Sequence, residues 1–233
     1  MIMRLDQFLS KALHISRKDA QLLLKKNKVL VNKKKINKSA TKLNPISDIV
    51  ELETREVKLP ETKYFMLNKP LGYVCSSEDS SNKTVYDLFS QSDKYDLKIV
   101  GRLDVDTTGL VLMTENGKWL HNVISPNKKC AKKYLVGLEY SFDMKYVREF
   151  EQGFFLKNEI KKTKPAHIEI LSKKKLYITI HEGKYHQIKR MFASIGNKVN
   201  SLQRIQIGNI KLDENLNLGE YRRLTDLEIA SFL

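Results

Sequence analysis

A polar stretch at residues 53–62 separates two differently patterned parts of the chain, and this separation restricts the fold more than any other feature. The stretch contains Pro60 and lacks hydrophobic periodicity, as is typical of a linker. We therefore predict two domains, residues 1–58 and residues 63–233, with the linker itself at 59–62. A length of 233 residues allows both parts to bury an apolar core.

The first part has the pattern of two helices followed by short strands. Apolar residues at the helical spacing i, i+3, i+4, i+7 and i+8 form one face of the first helix, namely Leu5, Phe8, Leu9, Ala12 and Leu13. Ser16 lies three residues before Asp19, which predicts the N-cap of a second helix. From Val29 to Leu52 the apolar residues follow a period of two, which predicts a small sheet.

The charge of this first part indicates a polyanionic partner. Residues 1–60 hold 14 Lys/Arg and 6 Asp/Glu, a net charge of +8 out of the total of +15. More than half of the excess charge therefore lies in about a quarter of the chain, which favours a dedicated basic module. The alternative is that the lysines form a solvated face and keep the protein soluble.

The first part also resembles the S4 RNA-binding domain from residue 3 to about residue 52. The resemblance is carried by Arg4-Leu5-Asp6 at the start of the first helix and Ser16-Arg17 at the start of the second. It implies that the second helix and the following loop bind structured RNA through its phosphates, which gives affinity with little base readout. The residues implied to contact RNA are Arg17, Lys18, Lys25, Lys26 and Lys33.

From Lys63 onward, strand-like and helix-like segments alternate without the regular repeat of a parallel α/β fold. Strands are predicted at Tyr64–Leu67, Leu110–Thr114, Tyr134–Glu139, Ala166–Leu171, Leu176–His181 and Val199–Ile207. Helices are predicted at Lys118–Val123, Asp143–Gln152, His186–Ile195 and Asp226–Phe232. The short connection Ser172–Lys175 predicts a β-hairpin. We therefore expect an α+β protein whose second domain has a largely antiparallel mixed sheet flanked by helices.

The polar segment from Gly101 to Leu110 carries the residues best suited to chemistry. It contains Arg102, Asp104 and Asp106, and it lies between two apolar, strand-like runs. A loop held between two buried strands can keep a reactive carboxylate in a fixed position. From the residues alone, an ordinary Asp/Thr/Gly loop and a two-carboxylate site of a glycosidase or nuclease both remain open.

Four ordered blocks resemble pseudouridine synthases of the small-subunit ribosomal RNA type: Asn68–Gly72, Gly101–Thr114, Lys133–Val136 and Glu182–Phe192. The resemblance implies a catalytic domain that isomerises a uridine of 16S ribosomal RNA to pseudouridine, with position 516 as the expected target. It implies no cofactor and no metal. Related enzymes that act on 23S ribosomal RNA share these blocks, so a 23S uridine remains an alternative substrate.

The same resemblance assigns three catalytic residues. Asp104 would act on the sugar as nucleophile or base, Tyr134 would stack on the uracil ring, and Lys189 would pair with Asp104. A non-catalytic S4-type assembly factor is a further alternative. The presence of these three residues argues against it, because a protein that only binds RNA does not need a carboxylate in a basic cleft.

Other residues in the same blocks are implied to bind RNA or to hold the loop. Arg102 would occupy the space left by the target uridine when that nucleotide leaves its stack. His186 and Arg190 would contact RNA. Asp106 would act as a hydrogen-bond acceptor within the loop, and not as a second catalytic carboxylate.

The remaining sequence features concern the setting of the protein. No apolar run approaches the roughly 18–20 residues that span a bilayer. Cys75 and Cys130 lie far apart, without the spacing of a zinc site or a disulfide framework. We therefore expect a cytoplasmic monomer whose partner is 16S ribosomal RNA or an assembly intermediate of the small subunit.

Overall fold

The computed structural model describes residues 2–26 and 28–233, and the chain divides into two compact units, Met1–Glu61 and Thr62–Leu233. Within the described residues, no helix combines the length and the apolar character needed to cross a membrane.

The described residues of the N-terminal unit form two helices and six short strands. In chain order these are β1 (Met3–Arg4), α1 (Leu5–Ala12), α2 (Arg17–Lys25), β2 (Val29–Val31), β3 (Lys34–Lys35), β4 (Lys42–Leu43), β5 (Val50–Leu52) and β6 (Arg55–Val57). Strands β3, β2, β5 and β6 form an antiparallel sheet in that order, and β1 pairs with β4. The predicted apolar face of α1 packs into the core of this unit through Leu5, Phe8 and Leu9. The predicted N-cap is confirmed, since the Ser16 side chain accepts a hydrogen bond from the Asp19 amide.

The pattern of residues 53–62 is typical of a linker, but this interpretation is wrong for Arg55–Val57, which lie before the linker predicted at 59–62. These residues form β6, which pairs with β5 at the edge of the sheet. The strand exposes Arg55 and Glu56 and half-buries Val57, so its sequence shows no apolar run. The turn before it places Glu53 at φ +60°, a left-handed conformation that glycine or asparagine usually indicates.

The C-terminal unit contains a large sheet with helices on both faces. Its elements are β7 (Tyr64–Lys69), β8 (Tyr73–Val74), β9 (Lys83–Thr84), α3 (Gln91–Lys94), β10 (Lys98–Val100), β11 (Thr108–Thr114), α4 (Gly117–Ile124), β12 (Lys132–Leu138), α5 (Val147–Gln152), β13 (His167–Ser172), β14 (Lys175–Ile180), α6 (Gln187–Ser194), β15 (Val199–Ile207), β16 (Ile210–Lys211), β17 (Tyr221–Arg223) and α7 (Asp226–Ala230). The strand order is β13-β14-β12-β15-β11-β7-β17, with β10 added beside β11 and β16 beside β15.

The pairs along this order are antiparallel within the described residues, except for the parallel pair β11–β15. The predicted α+β class with a largely antiparallel sheet is therefore confirmed, and so is the hairpin of β13 and β14. Most predicted ends differ from the observed ones by one or two residues. The largest difference lies at 143–152, where a 3₁₀ turn, Met144–Tyr146, precedes α5.

Strands β7 and β11 are buried on both faces, which explains their continuous apolar sequences. Alternate residues contribute to two separate cores: Val111 lies in the core that contains α5 and α6, whereas Leu110 and Leu112 lie in the core that contains α4. Since β10 and β11 flank the segment 101–107, two paired strands of the sheet support the polar loop in which the reactive carboxylate was predicted.

Candidate active site

A cleft of about 770 Å³ lies beside this loop in the C-terminal unit. Its walls come from residues 101–107, from strand β12 and from the segment 181–189. The three predicted catalytic residues, Asp104, Tyr134 and Lys189, all line it, as do Arg102 and His186. The fold thus brings together Asp104 and Lys189, which are 85 positions apart in the chain.

The backbone of the loop is held by a lysine for which no role was predicted. Lys69 is fully buried at the end of β7, and its Nζ donates hydrogen bonds to the carbonyl oxygens of Thr107 at 2.8 Å and Pro70 at 3.0 Å. A longer contact of 3.4 Å reaches the carbonyl of Val105. Burial lowers the pKa of Lys69 against the opposing effect of nearby Cys75 and the loop carboxylates. Lys69 therefore fixes the second half of the loop.

A buried arginine holds the two ends of the same loop. The Nε of Arg204 donates to the Leu110 carbonyl at 2.8 Å, one terminal nitrogen donates to Gly101 at 2.8 Å, and the other donates to Arg102 at 3.3 Å. In the register of the sheet, Arg204 lies opposite Gly109 on β11 and opposite Tyr134 on β12. Arg204 therefore connects the loop that carries Asp104 to the strand that carries Tyr134.

Gly109 permits the close approach of these two strands. Its φ is +98°, and a Cβ atom at this position would lie 2.3 Å from the backbone oxygen of Arg204. A side chain here would push β11 away from β15 and would displace the end of the loop.

Lys189, near the start of α6, lies between two carboxylates. Its Nζ is 3.2 Å from Asp104 Oδ2 and 2.5 Å from Asp106 Oδ1. Partial burial opposes the ionised forms of Asp106 and Lys189. The contact with Lys189 nevertheless lowers the pKa of Asp106, and the contacts with Asp106 and Asp104 raise the pKa of Lys189. The predicted Lys189–Asp104 pair is present, and Asp106, for which no contact with Lys189 was predicted, shares the same ammonium group.

The two carboxylates differ in exposure. The Asp104 side chain is 33% exposed, whereas that of Asp106 is 63% exposed. Asp104 is therefore the carboxylate that faces the protected part of the cleft. The chain turns back directly after it, because the Thr107 amide donates to the Asp104 carbonyl at 3.1 Å.

His186 lies next to Asp104, at the turn that precedes α6. Its Nε2 is 3.7 Å from Asp104 Oδ2, and its ring is stacked on that of Tyr185. Tyr134, in contrast, lies on an apolar and buried part of the cleft wall. It is 7% exposed and belongs to the apolar core.

Arg190 contacts groups other than Asp104. Its guanidinium donates to Glu159 at 3.2 Å and to the Tyr185 carbonyl at 3.0 Å, and it also contacts the Lys157 carbonyl. Lys184 donates to Glu159 as well, at 2.7 Å. This network ties the segment before α6 to residues 157–159. The predicted RNA contact of Arg190 stays a prediction.

The predicted RNA-binding residues of the N-terminal unit fall into two groups. Arg17 contacts the buried carboxylate of Asp6, and Lys33 pairs with Glu51 at 2.8 Å. Asp6 also accepts hydrogen bonds from Arg4 and Gln21, and these contacts hold its pKa far below the ordinary value against the opposing effect of burial. All five side chains are exposed. The other three, which form no ion pair within the described residues, are Lys18, Lys25 and Lys26.

Comparison with known proteins assigns a family to each unit. The family described as RNA pseudouridylate synthase matches residues 63–194, and the S4 domain matches residues 3–50. The two matched ranges fall within the two units of the fold.

Full-length relatives give the same result. The chain is 48% identical to the ribosomal small subunit pseudouridine synthase A of Vibrio cholerae and 44% identical to that of Escherichia coli strain K12. Each match covers 98% of this chain and 99% of the relative. A crystal structure of a pseudouridylate synthase is similar over 99% of this chain and 100% of its own, with a TM-score of 0.72 at 40% identity.

Proposed function

The chain belongs to the RNA pseudouridylate synthase family, with an S4 domain at its N-terminal end, and we propose that it isomerises a specific uridine of small-subunit ribosomal RNA to pseudouridine. The observation that supports this most directly is the placement of Asp104, Tyr134 and Lys189 on the wall of one cleft. The full-length similarity to small-subunit synthases supports the choice of RNA.

The reaction needs little beyond these side chains. The bond between C1′ and N1 breaks, the uracil turns, and a new bond joins C1′ to C5. A proton leaves C5, and N1 carries a proton in the product. The substrate and the product are isomers, so the reaction needs no electron acceptor and no added group.

We assign the chemical step at the sugar to Asp104. It is the more protected of the two loop carboxylates, and the buried cations Lys69 and Arg204 hold the backbone of the loop on either side of it. A carboxylate fixed in this way can act at the sugar as nucleophile or base without first losing conformational freedom. Lys189 orients Asp104 and offsets its negative charge.

Tyr134 and Arg102 act on the position of the nucleotide. Tyr134 lies at the buried side of the cleft, where its ring can stack on the uracil of the target nucleotide. Arg102 is exposed at the cleft beside Asp104, where it can occupy the space that the flipped uridine leaves in the RNA.

We further propose that the target is the uridine at position 516 of 16S ribosomal RNA. The protein acts on it as a monomer in the cytoplasm. The substrate is the 16S RNA or an assembly intermediate of the small subunit, bound in part by the exposed lysines of the S4 domain. Comparing pseudouridine maps of 16S and 23S ribosomal RNA from cells with and without the gene tests this assignment. A pseudouridine that disappears from 23S and not from 16S would contradict it.

The catalytic assignment is tested by Asp104→Asn, with release of tritium from RNA that carries 5-tritiated uridine as the assay. We expect RNA affinity close to that of the unaltered protein and no detectable tritium release, because the amide cannot act as nucleophile or base. Asp106→Asn serves as the matched variant in the same loop and should retain measurable turnover. Tritium release by Asp104→Asn at the normal rate would refute the assignment.

A further inference from the structure

Tyr185 places a large aromatic ring in solvent beside the cleft. Its side chain is 74% exposed, although it lines the same cleft as Asp104. The ring is stacked on His186, with 3.8 Å between the ring centroids and 18° between the planes. One face of the tyrosine is therefore covered by the imidazole, and the other face is open to a planar group of similar size.

The segment that carries this stack is fixed on both sides. The Tyr185 carbonyl accepts a hydrogen bond from Arg190, and the Lys184 amide donates to the side chain of the buried Gln187 at 2.9 Å. His186 adopts φ +47°, a left-handed conformation that is uncommon for a residue other than glycine. These contacts hold the exposed ring in a defined place and not on a freely moving loop.

The Tyr185 ring is stacked on the residue that lies next to the reacting carboxylate of Asp104. His186 Nε2 is 3.7 Å from Asp104 Oδ2, and the centroid of the Tyr185 ring is 3.8 Å from the centroid of the same imidazole. Tyr134, at 7% exposure, is already assigned to the target uracil. The open face of Tyr185 is therefore suited to a neighbouring base of the same strand.

We propose that Tyr185 stacks on the base of a nucleotide directly adjacent to the target uridine, and so helps to select and position the RNA strand in the cleft. The proposal rests on the proposed function. Stacking of this kind tolerates any base, since every base offers a flat π-face. Tyr185 is thus a binding and positioning residue that makes no contact with the reacting atoms.

The expected loss of RNA affinity follows from the strength of base–aromatic stacking. Removal of such a ring weakens RNA binding by roughly 5- to 150-fold. We expect Tyr185→Ala to raise KM within this range and to leave kcat within about twofold, because the lost contact is equal in the ground state and the transition state. Tyr185→Phe should behave like the unaltered protein, because the phenyl ring retains the flat face.

The decisive experiment combines this variant with altered RNA. The substrates are small-subunit RNA fragments that contain the target uridine, with either natural bases or an abasic site at the 5′ or the 3′ neighbour. If Tyr185 stacks on one neighbour, Tyr185→Ala should lose most of its effect on the fragment that lacks that base. The control is Tyr140→Ala, an exposed tyrosine outside the cleft lining, which should leave KM unchanged with every fragment.

Two outcomes would overturn the proposal. In one, Tyr185→Ala weakens RNA binding by the same factor on the natural fragment and on both abasic fragments, so the effect of the ring does not depend on either neighbouring base. In the other, Tyr185→Ala leaves KM unchanged on the natural fragment. A failure of the unaltered protein to release tritium from that fragment would instead refute the proposed function, and this inference with it.

Discussion

Arg204 offers a sharp test of how the fold positions Asp104. The perturbation is Arg204→Met, which keeps a long apolar side chain and removes the guanidinium. Three backbone carbonyls lose their donor, those of Gly101, Arg102 and Leu110. They lie at the two ends of the loop, so the variant loosens the loop without altering any side chain within it.

The expected loss of stability follows from the three contacts. A hydrogen bond from a charged donor contributes roughly 1.5–3 kcal/mol, so the two bonds of 2.8 Å together account for about 3 kcal/mol or more. Removing the buried charge also removes its desolvation penalty, which offsets part of this loss. We expect the free energy of unfolding of the C-terminal unit to fall by about 2–4 kcal/mol. For a unit of this size, a loss of about 3 kcal/mol lowers the melting temperature by roughly 6–12 °C.

The catalytic effect should exceed what the loss of folded protein explains. A displacement of about 1 Å in a positioned group reduces turnover by roughly 100-fold. We therefore expect kcat of Arg204→Met to fall by that order at a temperature where calorimetry shows the variant folded, with KM changed by a few-fold at most. Arg204→Lys is the matched control: a single ammonium group cannot serve all three carbonyls, so it should give intermediate values.

The result that would refute this reasoning is a folded Arg204→Met variant with kcat within twofold of the unaltered protein. If its melting temperature is also unchanged, the three hydrogen bonds contribute neither stability nor position. If only the melting temperature falls, Arg204 stabilises the sheet without positioning Asp104.

Two further predictions concern charge. Asp106→Asn removes the shorter of the two contacts that raise the pKa of Lys189, so the alkaline limb of the profile of kcat/KM against pH should move to lower pH. The control is Asp143→Asn, which alters an exposed aspartate outside the cleft lining and should leave that limb in place. The sign follows because a raised lysine pKa keeps the pair intact up to a higher pH, and an unmoved limb in Asp106→Asn would contradict the role of the pair. Replacing Lys18, Lys25 and Lys26, three of the exposed lysines of the N-terminal unit, by glutamine should reduce the slope of log Kd against log salt by roughly 2–3, at about 0.7–0.9 per phosphate contact. The same replacement in the hairpin turn at 173–175 should leave the slope unchanged, and equal slopes in both variants would count against RNA binding by the S4 domain.

Features set by local patterns could be predicted from the sequence. The apolar face of α1 and the Ser16 cap depend on residues within one or two turns of the chain, and both were found as predicted. The hairpin of β13 and β14 likewise depends on two adjacent runs and a short turn. Edge strand β6 escaped prediction because it is polar and has a single half-buried residue, Val57.

The support of the loop could not be predicted, because it depends on contacts between distant parts of the chain. Arg204 lies on the same face of β15 as Leu202, so a period-two pattern assigns it to the buried side. The pattern does not indicate that backbone carbonyls about a hundred positions earlier in the chain will receive the charge. The same holds for Asp106, because its contact with Lys189 depends on the direction in which the loop leaves Asp104.

The parallel pairing of β11 with β15 has a consequence for the order in which activity is gained. It joins Gly109 to Arg204, a pair with high sequence separation, and such contacts form late because a long loop must first close. During synthesis the N-terminal unit, which has its own apolar core, leaves the ribosome first. We therefore expect the nascent chain to gain affinity for RNA well before it gains an ordered Asp104. A chain halted before β15 would be a binder of ribosomal RNA without turnover.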